Sequence, residues 1–245
     1  MALRFDSDAE RASRIEAFAY NAAYTALGWA RLSADPDRFQ HLVAISRGTD
    51  GVYEGNAEWI GTTSDGTTAR IVVRAASAGG TSTPLTVAVG TWYKCAMVRV
   101  SATELRVYFE PAGTPITAPV ATDTTDVSSR AAAQGVYLGG YNGLCWNGRT
   151  AGWRFWQGAA FTPEQIEAEF ASATPVGASP WAALPVDGAT VAALLTDQTA
   201  NLRNFTEVGT LAVEAGPTLE AGDPPPSTSM PPPRRRFPLR RLLHH

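Results

Sequence analysis

The stretch from Gly148 to Phe170, GRTAGWRFWQGAAFTPEQIEAEF, constrains the fold more tightly than any other part of the chain. Trp153 and Phe155 alternate with Gly152, Arg154 and Trp156, the period-two pattern of a strand whose two faces meet different surroundings. A turn follows, and then the signals of a helix N-terminus arrive together. Thr162 offers a side-chain oxygen to the amides of a first helical turn, and Pro163 takes the first helical position, where its missing N–H costs nothing. Gln165 can reach back to complete a capping box, with Phe161 and Ile166 flanking the cap as a hydrophobic staple. The spacing predicts a short helix from Pro163 to near Ala173, because Pro175 pushes the residue before it out of helical geometry.

Read in order, Leu3 to Phe5 is a first strand, and Arg11 to Phe18 fits either a strand or a helix. Tyr24 to Leu32 reads as a central strand with Trp29 pointing into the core, and Phe39 to Arg47 as the next, after a turn at Asp35-Pro36-Asp37. Glu58 to Ile60 and Arg70 to Ala75 pair around Ser64-Asp65-Gly66, whose Asp-Gly step suits a tight hairpin. Gly79 to Pro84 reads as a loop. Trp92 to Val100 is apolar at consecutive positions, which calls for cover on both faces, and Leu105 to Glu110 is its hairpin partner. Thr114 to Arg130 is a polar connection, and Gly135 to Gly139 and Thr150 to Trp156 finish the sheets around a loop from Tyr141 to Gly148. Beyond the helix, Thr196 to Asn201 reads as a turn and Thr210 to Val213 as a last strand.

The G-R-x-A strand with its aromatics, the turn and F-T-P-E-Q-I together resemble the closing strand and short helix of laminin-G-like, concanavalin-A-like domains. Leu27-Gly28-Trp29-Ala30-Arg31-Leu32, Thr91-Trp92-Tyr93, Leu105 to Phe109 and Val136-Tyr137-Leu138-Gly139-Gly140 agree with that family in order and spacing. The resemblance implies an all-β, antiparallel jelly-roll sandwich with one short helix, at about 163 to 173, over residues 1 to 219. A proline-rich linker from 220 to 233 and an arginine-rich tail from 234 to 245 follow.

Composition permits this reading: 245 residues with 44% hydrophobic content suffice for one undivided sandwich core. The net charge of −3 conceals an asymmetry. Residues 224 to 245 hold five arginines and no acid; removing those five from the 20 basic residues leaves 15 against 23 acids, so the body carries −8 and the tail +5. The N-terminal residues lack the apolar run of a signal peptide and no segment is long enough to span a bilayer, which leads to an expectation of synthesis in the cytosol before assembly. Cys95 and Cys145 are too sparse for a disulfide scaffold and wrongly spaced for zinc; both are read as reduced, Cys95 as core filler.

Catalytic chemistry is hard to place. Concanavalin-A-like glycosidases need two carboxylates on one strand face, one to protonate the leaving oxygen and one to attack or activate water, and no strand carries that E-x-D-x-x-E arrangement. Glu164, Glu167 and Glu169 fall on the predicted helix instead, where acids favour the dipole. His41 beside Leu42 and Val43 reads as a packed or solvated residue. Some laminin-G-like domains bind calcium through rim oxygens, and Asp50, Asp65, Asp123 and Asp126 are the candidates, but turn geometry explains them better, since these loops lack the dense acidic spacing of a calcium site. No metal or cofactor is assigned. The chain is read as non-enzymatic.

Two stretches suggest binding. Tyr141, Asn142, Trp146 and Asn147 share one Gly-rich loop, where aromatic faces and amides can hold a sugar, with Tyr53 and Trp59 as possible additions. The tail is a polyproline-like spacer followed by Arg234, Arg235, Arg236, Phe237, Leu239, Arg240, Arg241, Leu242 and Leu243, a pattern that fits a docking peptide anchored by its apolar side chains. The layout is similar to bacteriophage virion accessory proteins (capsid decoration, head-fibre or tail-associated), which implies virion localisation, multimeric assembly and virion partners held by the tail. The alternative is a module recognising host-surface glycans; a tail contact with nucleic acid ranks third.

Overall fold

Alternation of apolar residues drives most of the chain into strands, and the computed structural model arranges them in two stacked sheets. It describes residues 1–7, 9–19, 21–34, 39–46, 57–64, 69–75, 81–128, 133–141, 144–177 and 179–218. In chain order the elements are β1 (Ala2–Phe5), β2 (Arg11–Phe18), β3 (Tyr24–Leu32), β4 (Gln40–Ser46), β5 (Glu58–Ser64), β6 (Ala69–Ala75), β7 (Thr81–Thr86), β8 (Tyr93–Ser101), β9 (Glu104–Pro111) and β10 (Ala121–Asp123). There follow β11 (Ala133–Leu138), β12 (Gly140–Tyr141), β13 (Leu144–Cys145), β14 (Gly148–Gln157), α1 (Pro163–Phe170), β15 (Ala182–Ala183), α2 (Val191–Leu195), β16 (Thr206–Val208) and β17 (Ala212–Glu214). The first sheet runs β10-β9-β8-β3-β14-β1-β17 with β15 beside β14; the second runs β16-β2-β11-β4-β5-β6-β7, with the β12–β13 hairpin attached to β4. This is the antiparallel jelly-roll sandwich, and Arg11 to Phe18 resolves to a strand.

Three apolar layers result. Between the sheets lie Phe5, Phe18, Tyr24, Leu42, Ile45, Cys95, Met97, Val136, Leu138, Trp153 and Phe155, all essentially inaccessible. Burial pushes the Cys95 thiol far above its ordinary pKa, as expected of a core filler. Against the opposite face of the first sheet packs α1, whose Ile166 and Phe170 meet Leu27, Trp29, Ala96, Val98 and Trp156. The consecutive apolar residues of β8 therefore divide between two layers, as their pattern requires. Trp29 is a correction: it is buried, but under α1, edge-on to Phe170 at 5.0 Å, and not between the sheets. The outer face of the second sheet carries a smaller cluster of Ala44, Ala57, Trp59 and Tyr137, with Phe39 packed against it.

The helix cap forms as its sequence dictates. Gln165 N donates to Thr162 Oγ1, and Thr162 N donates to Gln165 Oε1 at 2.9 Å. The helix ends at Phe170, three residues short of the expected Ala173. Arg154, on the sheet below, donates to the carbonyls of Glu169 and Ser172, and Glu169 Oε1 turns back to accept from Val176 N and Gly177 N. Carbonyls that would continue the helix are thus taken by a guanidinium. Further elements went unread, the short β12, β13, β15 and β16 among them. Thr81–Thr86 is an edge strand where a loop was expected, its Pro84 lying at a register shift, where a missing N–H is tolerated; β10 interrupts the 114 to 130 connection; and α2 is a second short helix.

Two polar groups tie distant segments into this frame. Glu58 on β5 accepts from Tyr24 and Arg99 of the facing sheet, with both ion-pair partners wholly buried. Asp197 accepts from Ala183 N, Thr199 N, Arg203 N and Thr199 Oγ1, shaping the 196 to 204 turn. Burial alone would raise the Asp197 pKa, but these donors outweigh it and hold the carboxyl below its usual range.

A depressed folded-state pKa contributes stability that is complete above the unfolded value, about 3.9, and is lost as pH falls through the folded one. The urea midpoint of the native protein is therefore expected to drop relative to that of Asp197→Asn between about pH 5 and pH 2. At Gly28 an added Cβ would lie 2.5 Å from the Trp153 ring. Gly28→Ala is expected to destabilise by about 1–3 kcal/mol through overpacking, read from the same denaturation curves.

Candidate functional site

The loop between β11 and β14 is the one sequence reasoning singled out, and the fold brings it to an end of the sandwich where both sheets contribute. Gly139 N donates to Leu42 O at 2.8 Å, and Trp146 N donates back to Gly139 O at 2.8 Å, so the β12–β13 hairpin is tied to β4. Gly139 has φ +70°, and an added Cβ would strike the Phe5 ring, so this turn is built for glycine. Cys145 lies in register beside His41.

Trp146 does not present its face to solvent. It is 1% exposed and belongs to the layer between the sheets, so its place in the loop sequence misled: the hairpin folds the indole inward. Among the described residues its Nε1 makes no hydrogen bond. Asn147, by contrast, is at the rim and partly exposed. Its backbone is held from both sides: Asn147 N donates to Gln40 Oε1 of the second sheet at 3.1 Å, and Ser33 N beside the first sheet donates to Asn147 O at 3.1 Å. Among the described residues the Asn147 carboxamide makes no hydrogen bond. Asn142 and Tyr53 lie outside the described residues, as does the side chain of Tyr141.

On the outer face of the second sheet, next in sequence to Gln40, lies an aromatic cluster. Phe39, His41 and Trp59 pack edge to face, with centroids 4.7 to 5.0 Å apart. Phe39 is partly exposed while Trp59 and His41 are buried, so His41 is the packed residue its sequence context suggested, and Trp59 supports Phe39 from below. On the side of the first sheet the turn before β8 closes over Arg31. Gly90 N donates to Leu32 O at 2.9 Å, and extending the β3–β8 register by one residue sets the partly exposed Trp92 opposite Arg31. Ser33, Arg31 and Trp92 carry no catalytic or metal-binding motif, which is why the sequence reading passed over them; only the pairing of β3, β8 and β14 gathers them.

The other candidates fall elsewhere. Asp50 and Asp65 lie outside the described residues, and so does every residue proposed for the tail anchor, from Arg234, Arg235, Arg236 and Phe237 through Leu239, Arg240, Arg241, Leu242 and Leu243. Asp123 accepts from Thr125 N and Asp126 from Ser128 N, each shaping its own turn; among the described residues no group of acidic, His or Cys side chains gathers around a common point. Described carboxylates that are buried are already engaged: Glu58 by Arg99, Glu169 by Arg154 and Asp197 by backbone amides. Glu167 on α1 pairs with the buried Lys94 at 2.7 Å and accepts from Ile116 N. A cavity of about 300 Å³ beside α1 is lined by Phe161, Ala168 and Glu169, but the Glu169 carboxylate there is spent on the helix C-terminus.

No protein-family model matches the chain, and no curated protein matches it in sequence. Solved structures do. A heptameric SAP-like pentraxin from Limulus polyphemus superposes with a TM-score of 0.59 at 14% identity, covering 89% of this chain and 96% of that one. A candidate carbohydrate binding protein from Bacteroides ovatus superposes with a TM-score of 0.55 at 15% identity, covering 88% of this chain. The alignment spans 62% of the length of the Bacteroides protein. At such identities the likeness establishes the lectin-like jelly-roll fold.

The two loop residues should separate cleanly. Trp146→Ala empties a core position and is expected to cost about 3–5 kcal/mol. Asn147→Ala, whose side chain touches no hydrogen-bond partner, should stay within about 0.5 kcal/mol of the native protein in the same urea titration.

Proposed function

We propose that this chain is a glycan-binding module, with its ligand seated on the rim around Asn147. The observation that carries the proposal is the contrast at that residue: a backbone clamped by both sheets and a carboxamide that the protein leaves uncommitted. A planar group offering both donors and acceptors on a tethered backbone suits paired sugar hydroxyls, because the backbone at this position is already ordered before binding. The partly exposed ring of Trp92, opposite Arg31 in the extended β3–β8 register, lies on the first-sheet side of this rim, and an apolar face of this kind is what the C–H surface of a sugar ring rests on. Tyr141 and Asn142 extend the same proposal along the hairpin. A solved neighbour described as carbohydrate-binding adds support at the level of fold.

This reading reverses the order of the two sequence-based alternatives. The virion accessory role was argued from the proline spacer and the arginine-rich tail, and nothing in the described residues bears on that segment; neither of the two solved neighbours is named as a virion component. If the tail anchors the chain to an assembly, the sandwich remains the presenting part.

A glycan array probed with the full chain is expected to give a restricted set of ligands. Asn147→Ala should weaken the best of them about tenfold, the equivalent of roughly 1.4 kcal/mol, with the urea midpoint unchanged. Deleting residues 224 to 245 should leave array binding intact. If the native protein retains no glycan, or Asn147→Ala and Trp92→Ala both bind like the native chain, the rim is not the site.

A further inference from the structure

Three arginines stand side by side on the first sheet at this same end. The β1–β14 register places Arg4 opposite Arg149, and the β14–β3 register places Arg149 opposite Arg31. All three point away from the layer between the sheets, since their neighbours Leu3, Thr150, Ala30 and Leu32 face inward. Like charges directly opposite one another across strands repel, so such a row needs compensation. Two of the three have it. Arg4 pairs with Asp6, and both Arg4 and Arg149 pair with Glu214 of β17. The arginine bonds hold the Glu214 carboxyl below the usual carboxylate range, so it is ionised at neutral pH. Arg149 also donates to Ser33 Oγ at 2.9 Å, which ties the row to the Asn147 rim.

Arg31 is different. Among the described residues it makes no hydrogen bond and no ion pair, and its Nε is buried without a partner. The guanidinium is only partly exposed, with Nη2 near Gly90. Among the described residues, three cations against Asp6 and Glu214 leave one uncompensated positive charge, carried by an arginine whose Nε is buried and unbonded. A buried unpaired donor is costly, and a charge at a like-charged row more so; neither is explained by packing, which an apolar or amide side chain would serve better.

We infer that Arg31 reads a carboxylate on the bound glycan, so that the ligand class is a uronic-acid or other carboxylated saccharide. This rests on the Asn147 rim being the glycan site. A guanidinium edge offers parallel N–H donors matched to the two oxygens of a planar carboxylate. One net charge and one free fork suit a single carboxylate per subsite, not a dense polyanion. Trp92, opposite Arg31 in the extended register, supplies the flat face for the ring bearing that carboxylate. Ser33 joins this subsite to the rim, since its Oγ accepts from Arg149 and its N donates to Asn147 O.

The test uses the full chain and matched pairs of oligosaccharides. Oligogalacturonate, oligomannuronate and hyaluronan oligomers are each compared with the same oligomer after reduction of its carboxyls to alcohols. At least one acidic member should bind about tenfold or more tightly than its neutral counterpart. Arg31→Gln should abolish that difference without lowering the melting temperature, because it removes an unpaired charge, and Arg31→Lys should recover only part of it because the fork is lost. Equal binding of reduced and unreduced oligomers, or unchanged selectivity in Arg31→Gln, overturns the carboxylate assignment and leaves the glycan site standing. Equally tight binding of a carboxyl-reduced, sulfated heparin oligomer, or of a DNA oligonucleotide, shows a general cationic patch and overturns it too. If no saccharide in either series binds, the carboxylate assignment is overturned, and the glycan array decides separately whether the glycan reading stands.

Discussion

Double coverage of the first sheet is the constraint from which the rest of this structure follows. β14 carries Trp153 and Phe155 to one side and Trp156 and Arg154 to the other, and each side must be removed from water. The second sheet covers the first set. α1 covers the other, and it can do so only if Arg154, which projects into that layer, is neutralised there. Glu169 supplies the charge at 2.7 Å, and burial nevertheless draws the Arg154 pKa down from its ordinary value. Removing one member of such a pair leaves the other stranded, and the cost then approaches about 3–5 kcal/mol. The same arginine ends the helix by taking its last carbonyls, so one side chain settles where α1 lies, how long it is and how it is held.

Coverage also decides where a ligand can reach. With the inner faces packed on each other and much of the outer face of the first sheet under α1, the surfaces left open include the outer face of the second sheet and the rim where the sheets meet. There the backbone is unusually well tied for a connection. Gln40 and Ser33 grip Asn147 from opposite sheets, and Gly90 is bonded to Leu32. Loops positioned by a rigid scaffold can carry binding groups without losing affinity to their own ordering. The Glu58–Arg99–Tyr24 bridge adds a second fixed link between the sheets.

Much of this was legible in the sequence wherever a local pattern had only one use. The capping box at Thr162 and Gln165, the staple of Phe161 and Ile166, the consecutive apolar residues of β8 and the strand at β14 all formed as read. What failed did so because a pattern had two uses. Trp29 is inward by periodicity in either layer, and nothing local says which layer is the helix. Pro84 argued against a strand, but an edge strand with a register shift accommodates it. Trp146 looked presented because it follows a Gly-rich loop, whereas the short β12–β13 pairing turns it beneath that loop. Of the four loop candidates, Asn147 alone is described with a partly exposed side chain, and that side chain makes no hydrogen bond among the described residues.

Arg31 illustrates the converse, a residue invisible in the sequence because its meaning is entirely a matter of register. In the chain it is one of 20 basic residues, more than a hundred positions from both Arg149 and Glu214. Only when β1, β14 and β3 lie side by side does it become the third cation of a row with two acids. An isolated surface arginine without a partner is ordinary and carries little information. An arginine beside two others, with its Nε out of water and no acceptor, is an unfavourable arrangement that the fold maintains by force of the surrounding strand pairing. Charges retained against their own repulsion, at the end of the sandwich where the backbone is most firmly held, are the arrangement expected of a group whose partner comes from outside the chain.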